Sequence, residues 1–597
     1  MGYFGAGNFT LTMYVLFLLN KFFLSKVISK FQNVVWPRFQ RFYQGFVSWA
    51  LNGWNPILLM IFTLFLLVFS VVITGIRQPK IVFFPKADPN FVYVYVNLPV
   101  GTDVAYTDSI TKIVEDRVYK VVGVKNPLVE SIISNVAIGA TDPQDNDRST
   151  APQKGKISIA FVQFAKRNGQ STAVYLDKIR DAVKGIPGAE ITVDQERNGP
   201  PVGKPVNVEI AGDDYLELVK TSKSLKRYLD SLKVPGVEEL KSDLDDKKPE
   251  MVVQIDRERA NREGISTAQI GGELRNAIYG KEVSKFKDAN DEYPIMVRYQ
   301  KDQRDNIDRL MQLKITYRDF NMGGMIRQIP LSSIATIKYE NSFGSIKRKN
   351  QKRVITLSSN VLGNANPNDV VASVQAAIAN YDIPAGVSID MTGEQEQQKE
   401  TADFLLQALL ISIAIIILTL VTQFNSISKM VLIISEIFLS IIGVLLGFAI
   451  FGMDISILMT GVGIVALAGI VVRNGILLVE FTDHLMSQGY ELKPAIIEAG
   501  KTRMTPVLLT ATATILGLIP LAVGLNIDFA TLFTEFNPHI FFGGDSVAFW
   551  GPLCWTMIFG LAFATFLTLI LVPVMYLLAA QFKAWFIPRA KHLLAID

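Results

Sequence analysis

Residues 455–481, ISILMTGVGIVALAGIVVRNGILLVEF, set Arg473 and Asn474 inside a segment otherwise suited only to lipid. As a helix rising 1.5 Å per residue, this stretch is long enough to cross a hydrocarbon core of roughly 30 Å. A guanidinium cannot discharge itself by losing its proton, so Arg473 requires a carboxylate, a carbonyl or water nearby. Two readings stay open: an ion or proton pathway, which is the default for intramembrane charge, and a structural ion pair that locks two helices.

Working outward, the 597 residues are 49% hydrophobic and 19% charged, with mean hydropathy +0.28, as expected of a membrane protein with a substantial water-exposed part. The net charge of +4 is dispersed and gives no basis for a nucleic-acid surface. Cys554 is the sole cysteine, which excludes an intrachain disulfide. The opening residues lack the basic, apolar, small-residue order of a cleaved signal peptide.

Residues 1–53 mix aromatic and aliphatic side chains with Lys21, Lys26, Lys30, Arg38 and Arg41. They are expected to form an amphipathic helix on the inner membrane surface, with a short buried start as the alternative. Residues 54–76 form the first spanning helix, and five more are expected within 400–582, near 405–422, 430–451, 455–481, 506–525 and 552–580. Residues 583–597 form a tail. Lys429, Lys493, Lys501, Arg503, Lys583, Arg589 and Lys591 fall on one side, whereas the 526–548 connection carries Asp528, Glu535 and Asp545 and no Lys or Arg. The charge bias puts both termini inside and the large soluble region, 77–399, outside.

That region alternates strands and amphipathic helices. Strand 91–98, helix 106–122, strands 130–138 and 156–164, helix 172–186 and strand 190–195 give β-α-β-β-α-β, a split βαβ or ferredoxin-like unit. A second unit starts at 206–242 and resumes at 353–392, leaving about 255–345 as an insertion whose residues 318–329 read as a hairpin. The expected fold class is therefore an α-helical membrane bundle of six spans plus an α+β domain inserted between the first and second.

This layout resembles one half, the carboxyl-terminal one, of a resistance-nodulation-division (RND) exporter, with the closest local match to the hydrophobe/amphiphile efflux branch. The likeness is carried by GIVVRNGILLVEF (469–481), EAGKTRMTPVLLTATATILGLIPLAVG (498–524) and TGEQEQQKETADFLLQAL (392–409), and covers nearly everything after residue 50. It implies that Arg473 stands where the family has a relay lysine, followed by Asn474, that Arg503 lies at the inner end of the next helix, and that Thr510 is the relay threonine. The change from lysine to arginine matters, because a guanidinium responds only electrostatically and the proton must ride on a carboxylate. Thr510 either bridges through its hydroxyl or back-bonds to its own helix.

The family's aspartate pair belongs to the other half, so the resemblance implies an amino-terminal partner half carrying those acids. Glu436, some eight residues from the inner end of its span, either pairs with Arg473 or forms a second proton site. The resemblance also implies export of amphiphilic compounds driven by the proton-motive force across a bacterial inner membrane. The assembly would be a trimer, with a periplasmic adaptor and an outer-membrane channel. Cargo contacts are expected at Ile133, Asn135, Ile138 and Phe161, beside a polar loop with Asp142, Asp145, Asp147 and Arg148, and the docking tip at Met322, Gly323, Gly324 and Met325.

Metal export is set aside here because residues 81–200 contain no Met, Cys or His. No GxxxxGK[ST] or GxSxG motif occurs, so the chain is expected to be a secondary transporter without cofactor rather than an enzyme. The alternative function is a non-pumping partner subunit, or an accessory of lipid or protein export.

Overall fold

The computed structural model describes residues 2–85, 87–142, 150–196, 202–244, 248–319, 323–362 and 365–594, with side chains described for 6–584 of these. Asp145, Asp147, Arg148 and Met322 lie outside the described residues, as do the side chains of Arg589 and Lys591. The chain divides into two compact units: residues 244–346 with 99–102 form the second, and the remainder forms the first.

Among the described residues, seven helices are long and apolar enough to cross a membrane, by length and composition, where six were expected. The addition is α1 (Ala6–Ala50), a continuous rod that passes through π-helical turns at Asn20–Leu24 and Phe31–Val35. Near its start, the Asn8 amide donates to the Phe533 carbonyl at 2.6 Å. Far along it, the Trp36 indole donates to Thr505 Oγ1 at 3.2 Å and the Tyr43 hydroxyl to the Leu569 carbonyl at 2.7 Å. The apolar run before Asn20 is too short by itself, but lysines on long aliphatic stems do not break a helix and let the run continue. The second spanning helix is α2 (Asn55–Arg77).

A four-stranded antiparallel sheet follows, made of β1 (Phe91–Asn97), β2 (Val129–Val136), β3 (Lys154–Phe161) and β4 (Glu190–Gln195) in the order β2-β3-β1-β4. Helices α3 (Val104–Val122) and α4 (Ala173–Ala182) connect the strands. Alternation along each strand sends Val92, Val94, Val96, Ile157, Ile159 and Phe161 into a core with Ile110, Val114 and Ile179. Next come β5 (Val206–Gly212) and α5 (Tyr215–Leu232), and then, after the second unit, β6 (Lys352–Ser359), α6 (Pro367–Ala379) and β7 (Val387–Met391). Strand β5 pairs antiparallel with both β6 and β7.

The chain closes with α7 (Glu394–Phe424), α8 (Ile427–Phe451), α9 (Ile457–Ser487), α10 (Leu492–Val523) and α11 (Asp545–Leu594). Small residues set how closely these helices approach. A β-carbon at Gly443 or Gly447 of α8 would collide with Phe563 or Phe559 of α11.

The second unit has its own core of Ile265, Ile270, Leu313, Ile315, Tyr317 and Leu331. Its strands Lys314–Asp319 and Met325–Pro330 pair antiparallel, with Gly323 and Gly324 at φ 71° and 84°, a left-handed region that favours glycine. Met325 beside them is exposed. A further hairpin, Lys281–Asp288 with Asp291–Val297, is exposed on both faces.

Candidate functional site

The span that opened the sequence reading becomes α9, and its periodicity separates Arg473 from its neighbours. Arg473 is exposed on a stripe with Val462, Ala466, Gly469 and Glu480, and makes no hydrogen bond or ion pair among the described residues. Asn474, one residue on, is buried, and its Oδ1 has no hydrogen-bond partner there. A groove beside Gly469 is lined by Phe404, Gln407, Ile411 and Ile415 of α7.

Glu436 lies elsewhere. Its carboxylate is 1% exposed, between α8, α9 and α11. The Thr568 hydroxyl of α11 donates to Oε2 at 2.8 Å, and the other oxygen packs against Gly475 of α9. The expected pairing of Glu436 with Arg473 is therefore corrected. Residues two apart on a helix diverge by about 200°, so the backbone at Gly475 faces Glu436 while the Arg473 side chain faces out.

Thr510 takes the back-bonding alternative, donating to the Val507 carbonyl at 3.1 Å. The Arg503 guanidinium lies 4.4 Å from the centroid of the Phe481 ring, a cation–π contact joining α10 to α9. Missed by the sequence reading is a polar layer where Lys429 Nζ meets Asp483 Oδ2 at 2.6 Å and the Tyr576 hydroxyl donates to Asp483 Oδ1 at 2.5 Å. Each of these residues is visible as a polar interruption in an apolar run, but only packing brings them together.

In the first sheet, Ile133 and Asn135 lie on the face opposite the core. Cross-strand register aligns Ile133 with Ser158 and Tyr93, and Asn135 with Lys156 and Tyr95. Phe161 is corrected: it faces the core at 4% exposure, its ring 5.6 Å from that of Tyr175, and cannot share a surface with Ile133. Ile138 is exposed just beyond the end of β2. Sequence reasoning also missed Lys156, whose ammonium donates to the Thr141 carbonyl at 3.1 Å; burial pulls its amine below the usual lysine range, against the opposing charge of Asp142.

A second missed cluster ties this sheet to α11. Arg167 is fully buried and donates to Asn90 Oδ1 at 2.6 Å, to the Val162 carbonyl at 2.8 Å and to Thr172 Oγ1 at 3.1 Å. The Asn90 amide in turn donates to Asp545 Oδ2 at 2.7 Å, at the first residue of α11.

A bundle of long apolar helices with a β-rich domain inserted in it is the fold of an RND transporter. The match is to the AcrB/AcrD/AcrF family over residues 16–580, and the chain belongs to that family. It is 29% identical over 375 residues to the cobalt-zinc-cadmium resistance protein CzcA of Cupriavidus metallidurans, covering 63% of this chain and 33% of that protein. It is 28% identical over 374 residues to the swarming motility protein SwrC of Bacillus subtilis, with the same coverage. The fold is similar to that of a heavy metal efflux pump in its crystal form II, with TM-score 0.69 and 21% identity over 92% of this chain and 53% of that one.

The matched part of the chain thus spans about a third of the length of these curated relatives. These relatives overturn the expectation of amphiphile export with metal export set aside, since they include a cobalt-zinc-cadmium resistance protein and a cation efflux system protein. The physical error was to restrict the candidate ligands to thioether, thiolate and imidazole, because carboxylates also bind zinc.

Proposed function

We propose that this chain is one half of an ion-gradient-driven RND pump that exports divalent metal cations across a bacterial inner membrane. The carrying observation is the 29% identity over 375 residues to a cobalt-zinc-cadmium resistance protein. Arg473 supports the need for a companion. A permanent charge on a spanning helix, unpaired among the described residues, is costly, and a facing helix that brings carboxylates would relieve that cost. The small residues Ala466 and Gly469 on the same stripe would let such a helix come close.

In this reading the companion half supplies an acidic pair opposite Arg473 and Asn474, and Arg503 holds α10 against α9. The solvent-side sheet face with Ile133 and Asn135 borders the cargo path. The assembled unit is a trimer that meets an adaptor and an outer-membrane channel through the second unit, around Gly323, Gly324 and Met325. The basic end of the bundle faces the cytoplasm and the β-rich domain the periplasm. Because α1 touches the short helix Phe529–Glu535 with Asn8 and α10 with Trp36, a crossing α1 would put its start on the periplasmic side.

The test is cobalt, zinc and cadmium content of cells expressing both halves. Wild type should lower the metal content, Arg473→Ala should abolish that effect, and Arg473→Lys should retain part of it. Unchanged metal content with the wild-type pair would sink the cargo assignment.

A further inference from the structure

Three helices meet in two layers, each of which holds polar side chains. The layer at the basic end is Lys429 of α8, Asp483 of α9 and Tyr576 of α11, bonded as described above. Deeper in the bundle, the same helices bring Glu436, Gly475 and Thr568 together. The separation is seven residues from Lys429 to Glu436, eight from Asp483 to Gly475 and eight from Tyr576 to Thr568. By helix rise the layers lie about 11 to 12 Å apart.

Glu436 is enclosed without a counter-charge. One oxygen accepts from Thr568 at 2.8 Å, and Oε1 is buried with no partner among the described residues. The helices packed on α8 offer little else. α2 carries no ionisable side chain before Arg77 at its far end, and the ionisable groups of α7 run from Glu394 to Asp403 in its first turns. α9 has Arg473, Glu480, Asp483 and His484, and α11 has Asp545, Cys554, Tyr576 and Lys583 in its described part. None of these forms a hydrogen bond or ion pair with Glu436. A carboxylate anion with one hydroxyl donor does not recover its lost hydration, whereas a neutral carboxyl group tolerates the site.

We infer that Glu436 is a proton site held entirely within this chain, occupied while α8, α9 and α11 are closed together, and that its proton exchanges with the basic end of the bundle through Asp483. In that exchange the Glu436 carboxyl gives up its proton and becomes a carboxylate, water entering between the layers carries the proton, and the Asp483 carboxylate accepts it. Lys429 otherwise balances the Asp483 charge, and Tyr576 orients its second oxygen. The site requires the membrane bundle of the family, but neither the companion half nor a particular cargo. A failed metal-export assay therefore leaves it standing, and its own failure leaves the export reading standing.

The experiment is infrared spectroscopy of the purified full chain in lipid nanodiscs at neutral pH, compared with the near-isosteric Glu436→Gln. Wild type should show a protonated-carboxyl stretch absent from Glu436→Gln, and Thr568→Val should shift that band upward without removing it. In heavy water, Asp483→Asn should slow the isotope shift of the band about a hundredfold, the low end of what a positioned proton acceptor contributes. Circular dichroism confirms that each variant is folded. The inference is overturned if folded wild type and Glu436→Gln show the same carboxyl spectrum, or if Asp483→Asn exchanges at the wild-type rate.

Discussion

Gly475→Ala tests the packing around Glu436 directly. A β-carbon there would stand 2.9 Å from the Glu436 carboxyl carbon and 3.2 Å from Oε2, with Oε1 nearer still. Three helices confine the carboxyl group, so it cannot withdraw without losing the Thr568 bond. Overpacking of this kind costs about 1–3 kcal/mol, and the broken hydrogen bond adds about 1 kcal/mol, for a total near 2–4 kcal/mol. In a Glu436→Ala background the obstruction is gone. Replacing glycine within a helix by alanine then stabilises by up to about 1 kcal/mol, so the sign of the effect reverses.

The coupling energy from the double-mutant cycle should therefore be about 2 kcal/mol or more. Reversible unfolding of the full chain in mixed micelles measures all four corners of the cycle. If Gly475→Ala costs the same with and without Glu436, the carboxylate does not sit on Gly475, and the account of the site is wrong.

Three further outcomes are expected. Arg167→Met removes three hydrogen bonds from a fully buried guanidinium, so it should destabilise the β1–β4 sheet by on the order of 3 kcal/mol, read as earlier proteolytic cleavage there in a urea series. Phe481→Leu should cost about 1–2 kcal/mol by removing the ring under Arg503, and a second change, Arg503→Gln, should then add little. Burial, reinforced by the charge of Asp545, raises the Glu196 carboxyl above the usual glutamate range. The folded chain thus holds this proton more tightly than the unfolded one, and the associated stability is present at low pH and lost as pH climbs through the raised value. The difference between wild type and Glu196→Gln in unfolding free energy should follow that slope; a flat difference would refute it.

Hydropathy and charge are local properties, so the apolar spans, the inserted β-rich region and a cation within residues 455–481 were all legible along the chain. Family membership was also legible there, because the motifs at 469–481 and 498–524 are contiguous. The surface that each residue faces was not. Arg473 and Gly475 are two positions apart, yet one looks out of the bundle and the other lies against Glu436, because the packing of α8 and α11 selects which side of α9 is inside. Phe161 and Ile133 belong to paired strands, and only the register of β2 on β3 together with the placement of α3 and α4 put the first in the core and the second on the opposite face. The long first helix gained its contacts at both ends of the bundle in the same way. Local sequence sets what a segment can be, while the facing of a side chain is decided by neighbours that lie up to hundreds of residues away.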